Sequence, residues 1–192
     1  MILDVTAGYR IMWGKNRDDP NAIFIDQRRE VKPTIIAVWA YLPIRSGIIQ
    51  GAVDDPPHML YESKGKPMAF NFVQRYGKLN PLTWKKDLAD NFEEVMRTLE
   101  PGAQILYKWN DNHISIRRLL ACLPCYPDRA AVMVGSRGVR RPGSTEPRSR
   151  TWYMIFIKKA VSEFGTCNSC GKTNAVLLEG VLCGECYLKK TA

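Results

Sequence analysis

Apolar residues gather in four short clusters over the first 55 positions, broken by turn-forming segments: Ile2 to Asp4, Ala22 to Asp26, Thr34 to Ala40 and Ile48 to Val53. Clusters of that length between turn formers predict β-strands. The rhythm then changes, with Trp84, Leu88, Phe92, Val95, Met96 and Leu99 recurring at three- and four-residue spacing. That period places them on one side of an amphipathic helix, and Glu100-Pro101-Gly102 predicts its stop. Ala103 to Trp109 predicts a further strand and His113 to Cys122 a short helix. Ala130 to Val134 and Trp152 to Lys158 predict two more strands, joined by a Gly/Pro/Arg-rich connection. Strands separated by helices imply parallel pairing, and consecutive strands without one imply an antiparallel hairpin at the sheet edge. The expected class is α/β, with a mostly parallel sheet.

At 192 residues, 45% hydrophobic and 10% aromatic, the chain has enough apolar surface for one packed domain and a small appendage. The longest apolar run, Ile35 to Ile44, is too short to cross a bilayer, and no charged-then-apolar leader opens the chain. An intracellular, cytoplasmic protein without a membrane partner is expected. Charge narrows the picture further: 28 Lys and Arg against 19 Asp and Glu give a net +9, which suits a polyanionic partner. No basic amphipathic helix or lipidation signal points to a membrane face, so nucleic acid is the expected partner.

Three positions at predicted strand ends carry candidate chemistry. The first strand ends in Asp4 and turns through Gly8, where a glycine lets the backbone approach a ligand closely. Asp26 follows 22 residues after Asp4, at the end of the next strand, a spacing at which nucleoside-binding folds hold a ribose diol. A turn glycine and a solvent-facing acid are the plain alternatives. The third is Ala52-Val-Asp-Asp-Pro-Pro-His-Met-Leu60. Proline gives no donor to a sheet ladder and restricts its predecessor, so the strand must stop there in a rigid extended corner bearing Asp54, Asp55 and His58.

Six cysteines form three Cys-x-x-Cys pairs. Cys167 and Cys170 are separated from Cys183 and Cys186 by twelve intervening residues, with a predicted hairpin, AVLLEGVL, between the pairs. Four thiolates at that spacing suit a tetrahedral structural Zn2+, which would order a tail too small for its own core. The remaining pair, Cys122 and Cys125, has no partner pair, and a buried thiol or a disulfide is favoured over a second zinc.

In order and at strand positions, "DVTAGYRIMW", "FIDQR", "DDPPHML", "YGKLNPLTW" and "ILYKWND" resemble class I S-adenosylmethionine-dependent methyltransferases. More narrowly, they resemble the small enzymes of phages and other viruses that are related to the amino-methylating enzymes of nucleic acids. The resemblance covers roughly Met1 to Lys159. It implies a Rossmann-like methyltransferase domain over residues 1–160, followed by the four-cysteine zinc ribbon over 161–192, inside a host cell if the source is viral. It further implies that Asp4, Thr6, Ala7 and Gly8 face the methionine part of the cofactor and Asp26 its ribose. Asp55, Pro56, Pro57 and His58 would form the catalytic corner, with His58 stacked on the target base; Asp54 is the alternative acid, and a simple cap on the corner is the alternative for His58. Arg10 stands where many relatives have a second glycine, and Val38 where they have an acid near the adenine.

Two segments are candidates for target contact. Leu60 to Thr83 interleaves cations with aromatic rings, among them Arg75 and Tyr76, which suits phosphates and unpaired bases. The connection "GSRGVRRPGSTEPRSR" carries Arg137, Arg140 and Arg141 for phosphate contact. Each also reads as an ordinary surface loop. The expected function is S-adenosylmethionine-dependent methylation of adenine N6 or cytosine N4, in DNA before RNA. RNA or a protein amide as target, or a non-enzymatic binder with a decayed cofactor site, are the alternatives. Nothing in the sequence indicates an oligomeric state.

Overall fold

The computed structural model of the chain describes residues 1–60, 77–134, 150–159, 164–165, 169–170, 175–178 and 182–183. Its centre is a seven-stranded sheet of β1 (Ile2–Asp4), β2 (Ala22–Asp26), β3 (Ile35–Ile36), β4 (Ile49–Asp54), β5 (Leu99–Asn110), β6 (Arg129–Val134) and β7 (Arg150–Ile157). The order is β3-β2-β1-β4-β5-β7-β6. Strands β1 to β5 pair in parallel, and β7 runs antiparallel to both β5 and β6. The expected edge hairpin is present, but its second strand inserts between β5 and the first, so β6 forms the edge. A smaller antiparallel sheet contains β8 (Phe164–Gly165), β9 (Ala175–Leu178) and β10 (Leu182–Cys183). In it the predicted cysteine-region hairpin is formed by β9 and β10.

Helix α1 (Trp84–Thr98) covers one face of the large sheet with the stripe anticipated from its spacing: Trp84, Leu88, Phe92 and Val95 are all buried. Phe92 meets Phe156 of β7 edge to face at 4.8 Å, so helix and sheet interlock through aromatic geometry as well as area. Truncating such a ring costs about 3–5 kcal/mol. The helix stops at Thr98 rather than at the Pro-Gly pair. Pro101 disfavours helical geometry at Glu100, and Leu99 is already extended and paired with Ile49.

Two predicted elements are shorter than expected. Strand β3 keeps only Ile35 and Ile36, because the chain turns at Val38, whose carbonyl accepts from the Tyr41 N–H at 2.9 Å. Helix α2 (Ile116–Leu120) begins three residues late. Ile114 is sunk in the core with its carbonyl accepting from Trp109 Nε1 at 3.0 Å, and Ser115 is extended, so neither belongs to a helix. The β1–β2 and β2–β3 connections carry only single 3-10 turns, Ile11–Trp13 and Arg29–Val31. No helix among the described residues is long and apolar enough to cross a membrane.

Candidate active site

A cavity of about 420 Å³ opens at the carboxyl ends of the parallel strands, walled by Asp4, Gly8, Asp26, Trp39, Asp55 and Lys108. Residues from four strand ends converge there because parallel strands all point their carboxyl ends the same way. Thr6 and Ala7 line it too.

On the β1–β2 side the acids are closely held. Asp4 is 4% exposed and accepts from Trp13 Nε1 at 2.7 Å and from the Thr6 N–H at 3.3 Å. Burial pushes its carboxyl up to about 6, against the opposing effect of the Trp13 bond. Gly8 sits at φ +49°, a conformation that favours glycine, and donates its N–H to Asp26 Oδ2 at 3.0 Å. Asp26 also accepts from Arg28: the backbone N–H and Nε reach Oδ1, each at 2.9 Å, and the guanidinium reaches Oδ2 at 2.8 Å. Burial alone would raise the Asp26 carboxyl, but the Arg28 bonds and charge outweigh it and hold it below the usual carboxylate range.

Arg10 stands where the resemblance leads to the expectation of a second glycine. It adopts the left-handed backbone expected of a glycine, with φ +56°. Its guanidinium donates to the Arg17 carbonyl (2.8 Å), Asp18 (2.8 Å) and the Lys32 carbonyl (2.6 Å), and lies 4.1 Å from the Phe24 ring centroid. The side chain thus ties two loops together and leaves the cavity wall clear. Val38 is 46% exposed, and the wall beside it is formed by Ala37 and Trp39.

The corner after β4 separates the two neighbouring acids. Asp54 is 1% exposed, bound to Asn91 Nδ2 of α1 at 2.6 Å and to Thr6 Oγ1 at 3.3 Å. Burial pushes its carboxyl up to about 7. Asp55 faces the cavity instead, its N–H donating to Thr6 Oγ1 at 2.8 Å and its Oδ2 accepting from Lys108 Nζ at 2.5 Å. Pro56 is buried, whereas Pro57 lines the cavity. A Cβ on Gly77, at φ +73°, would come within 3.2 Å of the Pro57 ring. His58 stands outside the cavity lining, its ring 6.2 Å from that of Trp109 at 76°, and burial lowers its pKa. The ring expected to lie flat on a base is therefore edge-on to a core tryptophan.

The cavity gathers Asp4, Thr6, Ala7, Gly8, Asp26, Asp55 and Pro57, and leaves out Pro56 and His58. Lys108, Asn91 and Trp39 were not anticipated. The signal for Lys108 was a cation among the outward positions of a strand whose inward positions, Ile105, Tyr107 and Trp109, are apolar. Arg75, Tyr76, Arg137, Arg140, Arg141, Cys167 and Cys186 lie outside the described residues. Cys183 is described through its backbone in β10, and Cys170 is exposed. No group of three or more metal-ligating side chains occurs among the described residues. Cys122 and Cys125 are unbridged thiols; Cys122 Sγ donates to the Leu119 carbonyl at 3.0 Å, and burial pushes Cys125 up to about 11.

No protein-family model matches the chain, and no curated protein is significantly similar to it in sequence. Solved structures do match. A SAM-dependent methyltransferase from Methanosarcina mazei superimposes with a TM-score of 0.53 at 14% identity, over 82% of this chain and 92% of that one. A geranyl diphosphate methyltransferase solved in complex with SAM gives 0.51 at 10% identity, over 83% and 77% respectively. Seven strands in this order, with β7 alone reversed and acids at the carboxyl ends of β1, β2 and β4, give this chain the fold of its neighbours, the SAM-dependent methyltransferases.

Proposed function

We propose that the chain is an S-adenosylmethionine-dependent methyltransferase acting on the exocyclic amino group of a nucleic-acid base, adenine N6 or cytosine N4, in DNA before RNA. The observation that carries this reading is that Asp55, on its proline-stiffened corner, lines the same cavity as Asp4 and Gly8. The residues present fit the cofactor. The cavity volume lies in the range that encloses a small ligand, Asp4 and Asp26 offer acceptors for an ammonium and a ribose diol, and Gly8 lets the backbone approach closely.

When bound, the cofactor supplies a methyl group on a sulfonium, which is reactive without further activation. The work left to the protein is orientation. An exocyclic amine has its lone pair delocalised into the ring, so it must be turned towards tetrahedral geometry. Asp55 would accept hydrogen bonds from the amine, draw its nitrogen out of conjugation and, with its own negative charge, stabilise the positive charge that builds on that nitrogen until the nitrogen gives up a proton. Thr6 fixes the backbone of Asp55 and also bonds Asp54, coupling the cofactor loop to the catalytic corner. Asp26 is already fully engaged by Gly8 and Arg28, so holding a ribose there requires Arg28 to release an oxygen.

The net charge of +9 supports a nucleic-acid target over a protein amide. In the tail, Cys167, Cys170, Cys183 and Cys186 bind a structural Zn2+; the described feature that supports this is the β9–β10 hairpin, which pairs Cys183 with Leu177. The test is transfer of a tritiated methyl group from S-adenosylmethionine to DNA, RNA and protein pools. Label in DNA or RNA, located on an amino nitrogen by nucleoside analysis, is the expected result; label confined to protein refutes the nucleic-acid assignment. Metal analysis should find about one zinc per chain, and Cys183→Ser should abolish it.

A further inference from the structure

Asp55 and Lys108 stand side by side because of the β4–β5 register. Asp54 pairs with Tyr107, so the next residues, Asp55 just past the end of β4 and Lys108 still within β5, stand at the same level. Their side chains are 24% and 27% exposed and both line the cavity. The ion pair uses one oxygen of the carboxylate and one proton of the ammonium. Among the described residues Asp55 Oδ1 receives no hydrogen bond, and Lys108 Nζ makes none beyond the one to Asp55. An ammonium carries three donors, so the pair presents an open acceptor next to an open donor at the mouth of the catalytic corner.

Resting on the methyltransferase reading above, we propose that Lys108 is a base-reading residue: it donates to the ring nitrogen beside the amino group that Asp55 accepts from. Adenine and cytosine both display this edge, an amino donor flanked by an unprotonated ring nitrogen. The pair reads that edge without parting, Asp55 through Oδ1 and Lys108 through its unused protons. The fixed cation also acts against the wrong substrates. An alkylammonium, such as a lysine side chain, meets a like charge where the base offers a lone pair. A carbocyclic aromatic amine leaves the partly buried donor unmatched, and a site built to hydrogen-bond its substrate discriminates strongly against an analogue lacking the partner.

The test is a cycle between Lys108 and the ring atom. The full-length protein is assayed on the oligonucleotide it methylates and on the same oligonucleotide carrying the deaza form of the target base, 3-deazacytosine, 1-deazaadenine or 7-deazaadenine. The wild type should lose about 10- to 100-fold in kcat/KM on one deaza base, the loss expected for a hydrogen bond to a charged group. Lys108→Met should lose a similar factor on the natural base and little more on that deaza base, while Lys108→Arg, which keeps a charged donor, recovers part of the loss. Should Lys108→Met fail to fold, Lys108→Gln enters the same cycle, and a deaza penalty smaller than the wild type's supports the assignment. Equal deaza penalties in wild type and variant, or full activity of Lys108→Met on the natural base, overturn it while leaving the methyltransferase intact. Absence of transfer by the wild type to any oligonucleotide overturns the function and this assignment with it.

Discussion

The two halves of the cavity are built differently. On the β1–β2 side every acid is engaged: Asp4 by Trp13, Asp26 by Gly8 and Arg28, and the neighbouring loops by Arg10. On the β4–β5 side Asp55 and Lys108 bind each other once and keep hydrogen-bonding capacity in reserve. Under the proposed function a ribose reaches Asp26 only when Arg28 lets go of an oxygen, whereas a target amine meets the open Oδ1 of Asp55 with no bond to break first. Thr6 joins the two, since one hydroxyl meets the backbone of Asp55 and the side chain of Asp54.

The sharpest way to break this contrast is Asp55→Ala. Methyl transfer should fall by at least about 1,000-fold, while S-adenosylhomocysteine still raises the melting temperature as it does for the wild type. Surviving transfer would move the chemistry off the β4–β5 side.

Next in size is the buried acid beneath the corner. The native state holds the Asp54 proton up to about 7, whereas an unfolded aspartate releases it near its ordinary 3.8. With more protons on the native than on the unfolded state, stability falls as pH rises. The contribution is complete below about pH 4 and lost through pH 7, and a displacement from 3.8 to about 7 is worth on the order of 4 kcal/mol. Asp54→Asn cannot ionise. Its unfolding free energy relative to wild type should therefore climb across that window in denaturant titrations at stepped pH, and a flat difference would show that Asp54 ionises freely in the fold.

On the cofactor side the expected effects are smaller. Asp26→Ala removes the proposed ribose acceptor and the partner of the Gly8 N–H, so calorimetry should show affinity for S-adenosylhomocysteine weakened about 10- to 100-fold. Arg10→Gly should matter least. It relieves about 1 kcal/mol of left-handed backbone strain but loses the bonds to Arg17, Asp18 and Lys32 and the contact with Phe24, leaving a net destabilisation of roughly 1 kcal/mol. Because the Arg10 side chain lies off the cavity wall, cofactor affinity should be unchanged; a marked change would tie the two loops' architecture to binding.

Much of the fold was legible in the chain. The strand clusters and the stripe Trp84, Leu88, Phe92 and Val95 are local patterns, and local patterns survive folding when burial rewards them. The boundaries that slipped did so under tertiary influence: Leu99 joined a strand because Ile49 was there to pair with it, and Ile114 left the predicted helix for the core. The stretch of Lys108 was visible, but its partner lies 53 residues away and only the register of β4 against β5 brings them together.

By itself the sequence determined that β4 must end at Asp54 and which acids stand there, because the two prolines that follow constrain the backbone whatever surrounds them, and side-chain alternation puts Asp54 and Asp55 on opposite sides. It could not say which side is covered. That was decided when α1 laid Asn91 against Asp54, leaving Asp55 to the cavity, and when Trp109 drew the His58 ring off the cavity wall. Burial and long-range pairing exist only once distant segments meet, and in this protein they separate the acid buried beneath α1 from the acid that faces the cavity.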